Sequence, residues 1–141
     1  MTGYDPNNIF AKIIAGQIPC EKLYEDENVI AFMDIMPQAD GHCLVVPKSS
    51  SRNLLDADPK IFADLFAHVQ RIARAAKRAM QADGITIMQF NEPAAGQTVF
   101  HLHVHILPRH EGIALKPHTG KMEDAAILKA HADRIREVLS A

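Results

Sequence analysis

His101, His103 and His105 stand at every second residue, with Leu102, Val104 and Ile106 between them. Alternate residues of a β-strand point to opposite faces, so the spacing predicts a strand with three imidazoles on one face and an apolar opposite face. Imidazole titrates nearest neutrality of all side chains, which suits such a row to nucleophilic, proton-transfer or metal chemistry. A single histidine on a strand is commonly just a partly exposed side chain. Three in strict alternation over a uniformly apolar face point to chemistry.

A metal reading starts from the two neutral nitrogen ligands that H-x-H can supply from one strand. Extended backbone sets the Cα atoms of His101 and His105 about 13 Å apart, whereas two nitrogens on one zinc lie at most about 4.2 Å apart. A pair plus outside ligands is the most that fits, and Asp34, His42 and Cys43 show no metal-like spacing. The expectation is no metal and no cofactor, with a metal-dependent hydrolase kept as an alternative. A covalent reading asks less of geometry: His103, the middle ring, attacks phosphorus while its neighbours handle charge and protons. It requires one ring nitrogen to hold its proton against an acceptor and the other to keep its lone pair.

The preceding loop favours the covalent reading. Gly96 lets backbone approach a ligand closely, and Gln97 and Thr98 offer an amide and a hydroxyl to phosphate oxygens. Asn91, at the end of the preceding strand, can donate to a phosphate or leaving-group oxygen; turn formation is its ordinary role.

The elements that must position these groups follow from the pattern of the remaining chain. It has 141 residues, 48% hydrophobic, with a formal net charge of -2. That predicts one domain over 1–141 with its own core and gives no basic signature for a nucleic-acid partner. Cys20 and Cys43 make no C-x-x-C pair and read as reduced, packed thiols. The first residues lack a leader pattern and no apolar run approaches the length that crosses a bilayer, so the expectation is a cytoplasmic protein without a membrane partner.

Ile9, Phe10, Ile13 and Ile14 recur at helical spacing before Gly16, giving a short helix that Pro19 cannot continue. Lys22 to Asp26, Val29 to Asp34 and His42 to Val46 read as strands. Asp58 and Pro59 start a long helix, whose apolar stripe of Phe62, Leu65, Phe66, Val69, Ile72, Ala73, Ala76 and Met80 ends at Gly84. Ile85 to Phe90 and Phe100 to Leu107 are two more strands, and Glu123 to Leu139 a final helix with Ile127, Leu128, Ile135, Val138 and Leu139 inward. The fold class expected is α+β: about five mainly antiparallel strands, one long helix and one C-terminal helix, with helices over one face.

HLHVHILPR resembles the motif of the histidine-triad (HIT) superfamily. IFAKIIAGQIP, AFMDIMPQADGHCLVVPK and NEPAAGQTVF are similar to segments of its Hint branch and of bacterial members in content, order and spacing, whereas the region after Arg109 matches loosely. The resemblance implies a HIT-like fold, a homodimer whose sheets join, and hydrolysis or transfer at the α-phosphate of a nucleotide. It implies that His103 is the nucleophile, that His105 contacts the phosphate, that His101 orients the neighbouring ring and that His42 completes a hydrogen-bonded relay. Asn91, Gly96, Gln97, Thr98 and Val99 would hold the phosphate and leaving group, and Asp34 the ribose hydroxyls. Ile9, Phe10, Ile13, Phe32, Ile35 and Leu44 match the apolar walls around the base, though core packing accounts for them equally well.

Two departures are visible. Many bacterial members hold a structural zinc with a C-x-x-C pair, a histidine after the third strand and the first triad histidine; here Asn8, Ala11 and Ser50 fill three of those places, so no structural zinc is expected. Met33 stands where the Hint branch has a histidine near the base.

The function expected is a metal-independent hydrolase or transferase acting on purine nucleotide conjugates through a nucleotidyl-histidine, with a small-molecule nucleotide as its partner. The leaving group is an amine, as in a phosphoramidate, or a second phosphate, as in a dinucleoside polyphosphate; GQTV resembles the dinucleoside-polyphosphate branch of the family, and Asn91 with IFAKII resembles the Hint branch. From a different class, a nucleotide-binding regulatory protein with little turnover is the alternative. Lys48, Arg109 and Lys116 read as surface charge.

Overall fold

The computed structural model describes residues 3–117 and 121–141. In chain order the elements are helix α1 (Ile9–Ile14), strands β1 (Lys22–Glu25), β2 (Val29–Met33) and β3 (Cys43–Pro47), helix α2 (Phe62–Ala79), strands β4 (Gly84–Met88) and β5 (Val104–Arg109), and helix α3 (Ala125–Ser140). The five strands form one sheet in the order β1-β2-β3-β5-β4 with every neighbouring pair antiparallel, as the α+β reading expects.

Local chemistry sets the boundaries. Asn8 caps α1 by accepting the Ala11 amide at 2.9 Å, and Gly16 follows the helix at φ +77. Asp26 closes the β1–β2 hairpin, because its Oδ1 accepts the amides of both Asn28 and Val29. Asp58 accepts the Lys60 amide and opens a 3₁₀ turn, Pro59–Ile61, that leads into α2. Asp124 caps α3 through the Ala126 amide.

The sheet is covered on both faces, which is why β2 and β3 are buried at every position. Val29, Ala31 and Met33 of β2, Cys43 and Val45 of β3, and Val104 and Ile106 of β5 pack with Leu65, Val69, Ile72 and Ala76 of α2 and Leu128, Ala132 and Ile135 of α3. Ile30, Phe32, Leu44 and Val46 point the other way and pack with Phe10, Ile13 and Ile14 of α1. Burial of each large apolar side chain is worth roughly 1.5–3 kcal/mol, so the α2/α3 face carries most of the stability. The α1 face is thinner and leaves room for a ligand.

Four expectations need correction. The long helix ends at Ala79: Gln81, at φ +51, takes the left-handed position expected of Gly84, and Gly84 opens β4 instead. Phe66 and Ile127 belong to neither core, each being 43% exposed. Strand β5 starts at Val104, not Phe100, so of the three histidines only His105 sits in the ladder. Pro47 accounts for the late start. It has no N–H to extend the ladder, its carbonyl is taken by the His101 side chain at 2.7 Å, and the Leu102 amide turns to Ser51 O at 3.0 Å.

Candidate active site

A cleft of about 440 Å³ opens on the α1 face of the sheet. Ile9, Phe10 and Ile13 from α1, Phe32 and Leu44 from the sheet, and Ile35 beyond β2 give it an apolar wall; Gly96, Thr98, Val99, His103 and His105 line the other side, with Asp34 between. Twelve of the sixteen residues singled out from the sequence therefore meet around one space. Ile18, Pro19, Cys20, Met33, Met36, Gln38 and Phe90 also line it. Of these, Met33 is the one that the family resemblance places near the base; the others come from turns and loop ends, where no periodicity signals a common direction.

The remaining four lie behind the cleft. His101 is buried, His42 is fully buried, and the side chains of Gln97 and Asn91 are engaged elsewhere. Gln97 was expected to donate to phosphate. Instead its Oε1 accepts from Asn53 Nδ2 and the Glu92 amide, and its Nε2 donates to Arg52 O and Val99 O, so its amide is committed to shaping the loop. Asn91 accepts the Leu54 amide at 2.9 Å and pairs with the Gln89 side chain.

Backbone groups fix the tautomers of His42, His101 and His103 when neutral, because an amide can only donate and a carbonyl can only accept, and His42 in turn sets that of His105. His103 Nδ1 lies 2.6 Å from His101 O, so it carries the proton and the lone pair is on Nε2. His101 Nε2 donates to Pro47 O, and its Nδ1 accepts the Tyr4 hydroxyl at 2.7 Å. The Gln38 amide donates to His42 Nδ1, which places the His42 proton on Nε2, 2.9 Å from His105 Nδ1 and 3.4 Å from Asp34 Oδ2. His105 in turn holds its proton on Nε2.

Burial keeps the nucleophilic candidate neutral. It pushes the pKa of His103 down to about 4 and that of His101 also below its ordinary value. Phe10 meets His103 edge-on at 4.8 Å, and Phe90 meets His105 at 5.5 Å, which dries and orients both rings. The pair stand 4.9 Å apart between centroids.

Among the described residues, Asp34, His42 and His105 form one group whose potential ligand atoms all lie within 4.8 Å. The Gln38 amide argues against a metal seat there: it obliges His42 Nε2, the atom on the Asp34 and His105 side, to keep its proton. The residues at the place of the structural zinc do not fit one either. Asn8 uses its oxygen as a helix cap, Ala11 has no ligand atom, Ser50 is exposed, and both ring nitrogens of His101 are hydrogen-bonded.

The family model of the HIT domain matches residues 15–112. A crystal structure of a Hit-like protein involved in cell-cycle regulation from Bartonella henselae superposes with a TM-score of 0.93 at 57% identity, covering 97% of this chain and 99% of that one. Protein hit from Bacillus subtilis is 41% identical over 128 residues, 90% of this chain and 82% of its own length. Adenylylsulfatase HINT3 from Arabidopsis thaliana is 39% identical over 103 residues, 73% of this chain and 52% of the plant protein. The matched stretch takes in all five strands and all three triad histidines, and the chain belongs to the HIT family.

Proposed function

We propose that this protein is a hydrolase or transferase acting at the α-phosphorus of a purine nucleotide conjugate, with His103 as the attacking group. The observation that carries this is the 2.6 Å bond from His103 Nδ1 to His101 O, which leaves Nε2 unprotonated in a ring that burial keeps neutral at pH 7. In the first step Nε2 forms a P–N bond while the bond from phosphorus to the leaving group breaks, and His105 Nε2–H supplies the leaving group's proton. Water then attacks phosphorus, the P–N bond breaks, and the relay regains its proton. Thr98 and the loop amides beside Gly96 receive the phosphate oxygens, Asp34 the ribose hydroxyls, and the apolar wall the base.

A nucleoside phosphoramidate is the substrate class we favour, with a dinucleoside polyphosphate as the second. The name of the Arabidopsis relative, an adenylylsulfatase, supports a nucleotide substrate. Two copies are proposed to join along β4, the outer strand next to β5, where Ile87 is 45% exposed. Incubation with a labelled phosphoramidate and a quench in mild base should trap an acid-labile adduct. His103→Ala abolishes adduct and turnover, by at least about a thousandfold, while retaining nucleotide binding. Turnover that survives in this variant, or activity lost on chelation and restored by zinc, would overturn the proposal; binding without turnover in the wild type would favour a regulatory nucleotide-binding role.

A further inference from the structure

The loop that brings Gly96 and Thr98 to the cleft is held from behind by a segment containing no triad residue. Arg52 donates from Nε and a terminal nitrogen to the two carboxylate oxygens of Glu92 at 2.8 and 3.0 Å, and its guanidinium lies 4.2 Å over the Phe100 ring. Asn53, fully buried, donates to Glu92 at 2.6 Å and to Gln97 at 3.1 Å. The Arg52 carbonyl accepts from Gln97 Nε2 at 2.7 Å. Asp56 receives the amides of both Arg52 and Asn53, which fixes the segment itself.

Glu92 is the hinge of this arrangement. Its φ of +78 lies where a side chain is rarely tolerated, immediately before the 3₁₀ turn Pro93–Ala95 and the left-handed Gly96. Such a backbone persists only where the surroundings over-determine it. Here the surroundings are Arg52 and Asn53 on its carboxylate and Gln97 on its amide. Neither Arg52 nor Glu92 lines the cleft or joins either core, so the pair acts on the ligand only through the shape of the loop.

We infer that Arg52 and Glu92 are positioning residues for phosphate recognition: their bidentate pair, with Asn53, holds the 92–98 loop in the form that presents Gly96 and Thr98 to the phosphate. The inference rests on the nucleotide reading given above. It separates phosphate from nucleoside, because the apolar wall and Asp34 belong to other elements. A planar fork matched to a carboxylate gives fixed geometry that a point charge does not.

The test compares AMP and adenosine binding by calorimetry in wild type, Arg52→Gln, Arg52→Lys and Glu92→Gln, with KM and kcat for a phosphoramidate and a thermal melt of each. In Arg52→Gln and Glu92→Gln, AMP binding weakens by about tenfold while adenosine binding stays within about twofold. KM for the phosphoramidate rises more than kcat falls, and Arg52→Lys recovers part of the loss. An unchanged ratio of AMP to adenosine affinity in the folded variants, or an equal loss of both ligands, would overturn the inference. A folded Arg52→Lys that matches wild type would overturn the bidentate role, because a point charge cannot form the fork. If Arg52→Gln does not fold, Arg52→Lys and Glu92→Gln carry the same comparison. A wild type that binds AMP no more tightly than adenosine would overturn the nucleotide reading itself, a result distinct from failure of the clamp.

Discussion

The backbone amide of Gln38 lies 3.0 Å from Nδ1 of His42, and this bond decides where the protons of two histidines reside. A donor that cannot reverse its role obliges His42 to present N–H to His105, and His105 to present N–H from its far nitrogen. A donor ring is thereby set beside His103, whose own proton is held by a carbonyl. One acceptor ring and one donor ring stand side by side, arranged by main-chain atoms.

Acid should weaken the fold through the buried rings. With the His103 pKa at about 4 against an ordinary 6.5, the unfolded chain binds a proton in that window which the folded chain refuses. Stability is therefore full above about pH 6.5 and falls as pH drops towards 4, by up to about 1.4 kcal/mol per pH unit for each such histidine. Urea melts at a series of pH values measure the slope. In labelled-histidine NMR, His103 stays neutral with its proton on Nδ1 at pH 5; a ring that titrates near 6.5 would contradict the structure.

Nucleotide binding should respond only weakly to salt. Among the described residues no lysine or arginine lines the cleft, so a bound phosphate meets hydroxyl, amide and imidazole donors with no cation to screen. Raising ionic strength from about 0.05 to about 0.5 M should change AMP affinity by less than about threefold. A steeper dependence would mean that Lys48, Arg109 or Lys116 reaches the ligand.

Asp34→Asn tests the sugar end. The buried carboxylate lines the cleft just past β2 and accepts the Met36 amide at 2.9 Å through Oδ1. Replacing it should reduce the preference for AMP over its 2′,3′-dideoxy analogue by about tenfold. Calorimetry with the two ligands gives the ratio, and an undiminished preference would move ribose recognition elsewhere.

Tyr4→Phe removes the hydroxyl that donates to His101 Nδ1 and leaves a buried acceptor without that bond. The expected loss is about 1–3 kcal/mol in urea unfolding. His101 Nε2 keeps its bond to Pro47, so adduct formation at His103 should persist.

Periodicity made the helices and the five strands legible, since alternation and the 3.6-residue repeat report which faces are buried. The triad was legible too, but not the point at which its strand begins. That depends on Pro47, more than fifty residues upstream, whose missing N–H ends the ladder there. Side-chain direction in loops was the other gap. Gln97 and Thr98 are one residue apart and look alike as phosphate donors, yet the first is locked inside by four hydrogen bonds and the second faces the cleft. Arg52 and Glu92, forty positions apart, carried no local signal, because an ion pair across a loop leaves no period in the chain.

His105 is stitched into β5, opposite Leu44 on one side and Met88 on the other, whereas His103 precedes the first paired residue and is anchored by its bond to the main chain two positions back. The sheet thus grips His105 and leaves the main chain of His103 outside the ladder. In the two-stage displacement proposed above, Nε2 of His103 would advance as it bonds to phosphorus and retreat as water takes its place, and neither excursion would have to tear a ladder rung.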